Sequence, residues 1–566
     1  MSHAEASTDG GALAAAAAPP RQTLVNTAAF AAMEAQLMQL ECGFTRGFAG
    51  LQLLGAVSEV CRDGKERARV ALEGLGIRIP PRRLVMSLTP ADVKMDGSQL
   101  DLAVAVTLAL LLGDGPVGVD PSRWMFVAEL GLGGELRPVR GMVSFALAAL
   151  AAGLEGLVVA PENLHEVSVL VATVSGDGTP LKVRSCRSLS EVLTWLFAAG
   201  ATSEVPRLAL PPSAAPPTRG VNFDDMILSP TLELAVLTAA TGMHSMLMRG
   251  APGTGKSMLA ARLPSVLPDL ARQPHIDAMR IYSGCMERLP PALLAGRPPY
   301  RAPHHQASAA AVIGSADAPG ELALAHGGVL FLDELPEFRR DLLEALREPL
   351  ETGEVRIARS QRKTVWKAGI LLVAACNHCP CGWAGSARRL CICGNGRLLQ
   401  YRQRLSGPIL DRIDLHLNMP EPEGASAELF LHLAASAAAQ QTERMLARVI
   451  AARAFAAARS ESQALGVVFN RDLGLHQLIQ ASGLPAADFG ALVQQVIPDH
   501  TGTRSLLRCM KVARTLGDLR QAEAINADDV RQAWRWQSEP AARERGDDLR
   551  ALGSISGTSS QGAIHS

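Results

Sequence analysis

Neither sign of charge is in surplus in this 566-residue chain, which sets 55 Lys and Arg against 55 Asp and Glu. No global basicity advertises nucleic acid and no acidic excess suggests a solvating tail, so any polyanion contact must come from a local patch. Aromatic residues are scarce at 4%, which leaves few platforms for stacking single-stranded bases. No apolar run reaches the roughly eighteen residues of a membrane span; the longest, "LAVAVTLALLLG" and "FALAALAAG", read as core helices. "GGALAAAAAPP" lacks the basic flank and bulky apolar centre of a secretory signal. The expectation is a cytoplasmic protein without a membrane partner, where thiols stay reduced and clustered cysteines favour metal over disulfide.

The 48% hydrophobic content supports sizeable cores in two to four domains. Residues 1–28 are Ala-, Ser- and Gly-rich and read as a disordered terminus. From 29 to 200 short strands ("RRLVMSLTP", "LEGLVVAP") mix with apolar helices ("DLAVAVTLALLL", "MVSFALAALAAG"), an α+β or α/β pattern. A proline-rich linker covers 201–220, a second α/β unit 221–425, and a strongly helical region 426–540. Within that region "NADDVRQAWRW" opens on a helix cap at Asn526. Residues 541–566 read as a second disordered tail.

"MLMRGAPGTGKSMLAARL" carries the most specific signal. Gly250, Ala251, Pro252, Gly253, Thr254, Gly255, Lys256 and Ser257 spell G-x-x-x-x-G-K-S between an apolar strand and a helix-forming run. That order suits nucleoside triphosphate binding: glycines let backbone N–H groups close around phosphate oxygens, and the helix N-terminus adds a positive dipole end. Lys256 is placed for the β- and γ-phosphates, and Ser257 for Mg²⁺. A chance glycine-rich turn would not come with both flanking elements. About eighty residues on, "GGVLFLDELPEF" reads as a buried parallel strand ending in Asp333 and Glu334. Asp333 suits the Mg²⁺ shell, and Glu334 suits orientation of the attacking water. The next apolar strand, "GILLVAACN", ends at Asn377, where a polar group can meet the γ-phosphate or the water. Arg412 in "GPILDRIDL" reads, taken alone, as a surface ion pair. Arg504 opens a helix of the helical region, from which its guanidinium could reach back to the nucleotide.

Two further stretches carry chemistry. "CNHCPCGWAGSARRLCICGN" holds five of the ten cysteines. Cys379, Cys381, Cys391 and Cys393 make C-x-C-x₉-C-x-C, enough thiolates for tetrahedral zinc, with His378 or Cys376 able to substitute for one. Reduced, idle thiols and a redox pair stay open beside a structural Zn²⁺. "GEVRIARSQRKTVWKAG" reads as a β-hairpin with five cations, Arg356, Arg359, Arg362, Lys363 and Lys367, against Glu354. Either it grips the phosphates of DNA, or it is an edge hairpin kept soluble by its charges.

With these residues in view, the chain resembles the ComM/YifB family of Mg-chelatase-like AAA+ ATPases from about residue 36 to 537. The stretches that carry the resemblance are "GAPGTGKSMLA", "RAPHHQAS", "LAHGGVLFLDELPEF", "LLEALREPLETGEVRIAR", "CPCG", "RLSGPILDRIDLHLNMP" and "KVARTLGDL". It implies a P-loop AAA+ domain with a parallel sheet between helices, an N-terminal α+β Lon-protease-like domain and a C-terminal helical lid. It also implies a homo-oligomeric ring, expected to be hexameric, with ATP between subunits. Arg412 matches the arginine expected to act on a neighbour's γ-phosphate, Asn377 matches sensor 1, and Arg504 matches sensor 2. In related rings the hairpin before sensor 1 projects into the pore, which would place Arg356, Arg359, Arg362 and Lys363 on DNA. The Lon-like match puts Gln99 where the serine nucleophile belongs and Val143 where the lysine belongs, so a Ser/Lys protease is not expected. The implied function is an ATP-driven motor that remodels branched or single-stranded DNA, a branch-migration helicase serving natural transformation or recombination. The alternative is a chelatase-type ATPase subunit that drives metal insertion or another protein-remodelling task.

Overall fold

A computed structural model describes residues 23–537 apart from 32, 114–116, 175–180, 199–219, 286–288, 360–361, 387, 406, 422–439 and 499–500. The linker core, the residues after 537 and most of the first 28 fall outside the described set. The chain divides into two compact units, one N-terminal to the proline-rich stretch and one C-terminal to it.

The first unit is built on a seven-stranded mixed sheet. Its strands are β1 (Thr23–Ala31), β2 (Glu34–Thr45), β3 (Gly50–Leu54), β4 (Arg83–Thr89) and β5 (Trp124–Phe126), followed after the short β6 (Glu129–Leu130) and β7 (Leu136–Arg137) pair by β8 (Gly156–Val159) and β9 (Lys182–Ser185). The order is β3-β4-β2-β1-β5-β8-β9. β1 corrects the expected disordered terminus: residues 23–28 pair with β2 in continuous antiparallel register from Thr23↔Cys42 to Ala31↔Glu34. Low complexity hid a strand whose Val25, Ala28 and Ala29 are buried, because small side chains suit a sheet covered on both faces. The helix Asp101–Leu112 is buried along eleven of its twelve residues. Its one charge, Asp101, is met by Arg67 at 2.7 Å, as a buried carboxylate requires. At the positions a Ser/Lys protease would use, the Gln99 amide donates to the Asp96 carbonyl at 2.6 Å. Val143 lies wholly buried, and the Ser98 hydroxyl is bound to Glu129.

The second unit centres on five parallel strands, β10 (Met246–Arg249), β11 (Tyr300–Arg301), β12 (Val329–Leu332), β15 (Leu371–Cys376) and β16 (Leu415–Asn418), in the order β11-β12-β15-β10-β16. The hairpin β13 (Glu354–Arg359) and β14 (Arg362–Lys367) stands apart as its own two-stranded sheet. β10, β12 and β15 are buried at every residue, the pattern of parallel strands covered on both faces. The helical region expected as a separate domain shares one core with this sheet. Val449, Met510, Val512, Leu516 and Trp536 pack in the same cluster as Val236, Met246 and Val373. The Asn526 cap is formed: Asn526 accepts from the Asp529 N–H, and Asp529 accepts from the Asn526 N–H, both at 3.0 Å.

Candidate active site

Sheet topology assembles the site. β12, β15 and β10 are neighbours in register, with Leu332 opposite Ala374 and Arg249 opposite Cys376. All three run the same way, so the residues that follow them emerge at one edge, the usual ligand crevice of a parallel sheet. There Gly250–Gly255 turns into the helix Lys256–Arg262, with Gly255 at φ +83°, a left-handed conformation that a side chain would strain. The Lys256 ammonium donates to the Gly250 and Ala251 carbonyls at 2.9 Å each and lies 3.2 Å from the Asn377 side-chain oxygen. Burial lowers the Lys256 pKa, and the Asp333 charge opposes that shift. A buried cation beside a phosphate-sized loop is poised for an anion.

The Ser257 hydroxyl donates to Asp333 at 2.7 Å. A hydroxyl and a carboxylate side by side at the strand ends are the hard oxygen donors that Mg²⁺ takes while keeping most of its water. Glu334 has φ 52° and ψ 48°, uncommon for a residue with a side chain. This conformation turns its carboxylate out of the strand line, where His305 Nδ1 meets it at 3.2 Å. His305 lies against His304, with ring centroids 4.1 Å apart. Sequence reasoning missed this histidine as a site residue. Its one signal was the "PHH" run, which nothing local ties to Glu334.

Arg412, matched by resemblance to an arginine that acts on a neighbour's γ-phosphate, and Arg504, expected at the nucleotide, share one carboxylate. Arg412 precedes β16, whose first residue, Leu415, pairs with Met246 at the start of β10. Arg412 is therefore at the strand-start edge, opposite the phosphate loop. Its guanidinium meets Glu351 at 2.9 Å and the Arg347 carbonyl at 3.2 Å. Arg504 meets the same Glu351 at 2.8 Å. Arg504, expected to reach back to the nucleotide, is held with Arg412 by Glu351 on the edge opposite the phosphate loop of this chain. The cause is the shared core, which docks the helix Thr503–Leu519 at the strand starts.

A buried polar network fixes that docking. His244 bonds Asp414 at 3.2 Å and Thr515 at 2.8 Å, while Ser245 donates to the Arg412 carbonyl at 2.8 Å. Burial works against the Asp414 charge, yet the His244 bond and nearby Arg508 and Arg471 hold its pKa below the usual carboxylate range.

Comparison with known proteins now decides the family. The family description "Magnesium chelatase, subunit ChlI" matches residues 223–427, "Subunit ChlI of Mg-chelatase" matches 40–163, and "Magnesium chelatase, subunit ChlI C-terminal" matches 439–537. The uncharacterized protein YifB of Escherichia coli is 32% identical over 515 residues, covering 90% of this chain and 96% of its own length. The chain belongs to the Mg-chelatase-like AAA+ ATPase family. The competence protein ComM of Haemophilus influenzae is 35% identical over 410 residues, 71% of this chain and 77% of its own. An uncharacterized protein of Mycobacterium tuberculosis is 31% identical over 523 residues, 90% and 97% respectively. As a Mg-chelatase-like ATPase, the protein implies ATP and Mg²⁺ as its cofactors. Among the described residues no helix is long and apolar enough to cross a membrane.

The thiol loop hangs from this ATPase site. Sulfur atoms of Cys379, Cys381, Cys391 and Cys393 all lie within 4.8 Å of one another. Cys376 stands three residues before Cys379, at the spacing of a redox pair, but ends β15 and is not one of the four. Amide donors from Trp383 and Ile392 bring the Cys381 thiol down to about 6.

The hairpin has a packed face and a charged one. Val355, Thr364 and Trp366 are buried; Trp366 donates to the Ser315 carbonyl at 2.9 Å and Thr364 to the Ala316 carbonyl at 3.0 Å. On the other face Arg356 and Lys367 both pair with Glu354, at 3.1 and 2.7 Å. Lys363 is exposed, and the side chains of Arg359 and Arg362 lie outside the described set.

Proposed function

We propose that this ATPase is a ring motor that remodels DNA, most simply by branch migration, in recombination or uptake of DNA. The observation that carries this reading is the hairpin between β12 and β15. Its apolar face is anchored, while its cations concentrate in a chain of zero net charge. The strand that follows it leads directly into Asn377, which touches Lys256. A change at the phosphates thus has a short covalent path to the cationic tip. The similarity to a protein named for competence supports the same reading.

Arg412 supports the ring. Its place at the edge opposite its own phosphate loop suits contact with the next subunit's nucleotide in a head-to-tail ring of six subunits; Arg504, on the same glutamate, would go with it. In the hydrolytic step Lys256 would neutralise phosphate charge, Ser257 and Asp333 would hold Mg²⁺, and Glu334, steered by His305, would orient the attacking water. Bound Mg²⁺ would supply charge neutralisation on the phosphates. A structural Zn²⁺ on the four thiols completes the cofactors of this reading.

The family descriptions favour a second reading, an ATPase subunit driving metal insertion. ATP turnover measured without DNA and with forked, four-way and single-stranded DNA separates the two. Stimulation by branched DNA supports the motor, and a rate indifferent to all three forms removes it.

A further inference from the structure

The stretch from Cys379 to Asn395 has little core of its own. Of its bulky apolar residues, Leu390 and Ile392 are 88% and 79% exposed, and Trp383 is only half-buried. A loop that buries so little apolar surface needs another cross-link to hold a shape. What lies inside is sulfur. Cys379 is wholly buried, and the Cys379–Cys381, Cys381–Cys391 and Cys379–Cys391 sulfur pairs stand at 3.3, 3.6 and 3.7 Å. Four sulfurs around zinc at about 2.3 Å would lie about 3.8 Å apart. These separations are far too long for disulfides and close to those of a tetrathiolate. The Ala384 N–H donates to the Cys379 sulfur at 3.2 Å, the kind of outer contact that orients a thiolate ligand.

Both ends of the loop are tied to the nucleotide site. At its start Cys379 follows Asn377 by two residues, and Gly382 closes a turn onto the Cys379 carbonyl at 2.9 Å. Gly382 has φ +85°, and a Cβ placed there would lie 2.6 Å from the ring of Pro252 in the phosphate loop. At its end the loop runs into the helix Asn395–Arg404. Arg404 of that helix pairs with Glu337, three residues past Glu334, at 2.8 Å.

We infer that zinc held by Cys379, Cys381, Cys391 and Cys393 staples the two ends of this loop together, and thereby sets the wall of the nucleotide site formed by Pro252 and Asn377. The inference rests on the zinc reading above and adds to it a positional role: the ion takes no part in hydrolysis, but nucleotide affinity depends on it.

The test uses the full chain purified without chelator and two readouts, zinc per chain by elemental analysis and affinity for a fluorescent ATP analogue. Wild type should carry one zinc. Cys391→Ser with Cys393→Ser should lose it and bind the analogue about tenfold more weakly, as a displaced binding wall costs. Cys393→His supplies another zinc ligand and should restore both metal and affinity. Gly382→Ala should keep its zinc yet weaken analogue binding, because the added methyl meets Pro252; this variant decides the matter if the double serine variant fails to fold. Leu390→Ser, at an exposed side chain that no sulfur contact uses, should change neither readout. Wild type without stoichiometric zinc overturns the zinc reading. Zinc present, with unchanged affinity in both the zinc-free and Gly382→Ala proteins, overturns the staple and leaves the zinc reading standing.

Discussion

Replacing Arg412 with alanine tests the ring most directly. β10 has four residues, Met246–Arg249, and a rise of about 3.3 Å each separates its ends by about 13 Å. Arg412 lies beyond one end, fastened to Glu351, and the phosphate loop lies beyond the other. An arginine so placed cannot serve the γ-phosphate of its own chain without dismantling that edge. Arg412→Ala should therefore bind ATP normally and turn it over about 10³- to 10⁵-fold more slowly, the loss expected for a trans arginine. Lys256→Ala should be inactive for a different reason, loss of phosphate binding. Mixed in equal amounts with free subunit exchange, the two should regain turnover. About a quarter of the interfaces in a random head-to-tail ring would join an intact phosphate loop to an intact arginine. Steady-state ATPase at a series of mixing ratios, with exchange verified by fluorescence transfer between labelled subunits, reads this out. Demonstrated exchange with no recovery at any ratio would refute the trans assignment.

Three other outcomes are expected. Glu334→Gln should retain analogue binding while losing turnover, whereas Lys256→Ala should lose binding itself; equal binding losses in an equilibrium titration would contradict their separate roles. Changing Arg359, Arg362 and Lys363 together to Ala should abolish DNA stimulation and flatten the salt dependence of DNA binding by about one unit per lost phosphate contact. Basal ATPase should persist, and an unchanged salt slope would remove the hairpin as the grip. The third outcome concerns acid. Burial holds His326 and His416 each down to about 4, so between pH 6.5 and 4 the unfolded chain binds more protons than the folded one. Stability should thus be full above about 6.5 and fall as pH drops, by up to about 1.4 kcal/mol per pH unit for each histidine. Urea midpoints that stay level from pH 7 to 5 would contradict this.

Much of the catalytic half was legible in the sequence because its parts are local. The phosphate loop, Asp333 and Glu334, and Asn377 each directly follow an apolar run, and parallel strands must deliver such followers to one edge. The hairpin was equally readable from alternation around a polar turn. The first strand was not: "TLVNTAAFA" is too rich in small residues to announce itself, and only pairing with β2 makes it a strand.

What tertiary structure alone decided are relations between residues far apart in the chain. Glu351 gathers Arg412 and Arg504 because the helical region shares the core of the sheet, which no window of sequence reveals. His305 reaches Glu334 across twenty-nine positions only because β11 and β12 lie side by side. The four thiols were countable, but their convergence depends on a loop folding back against Pro252. Which groups are candidates to carry chemistry was legible in the chain alone, since residue type and local period are short-range properties. The side of the sheet each group occupies was decided by long-range packing, because it depends on which strands and helices share a core.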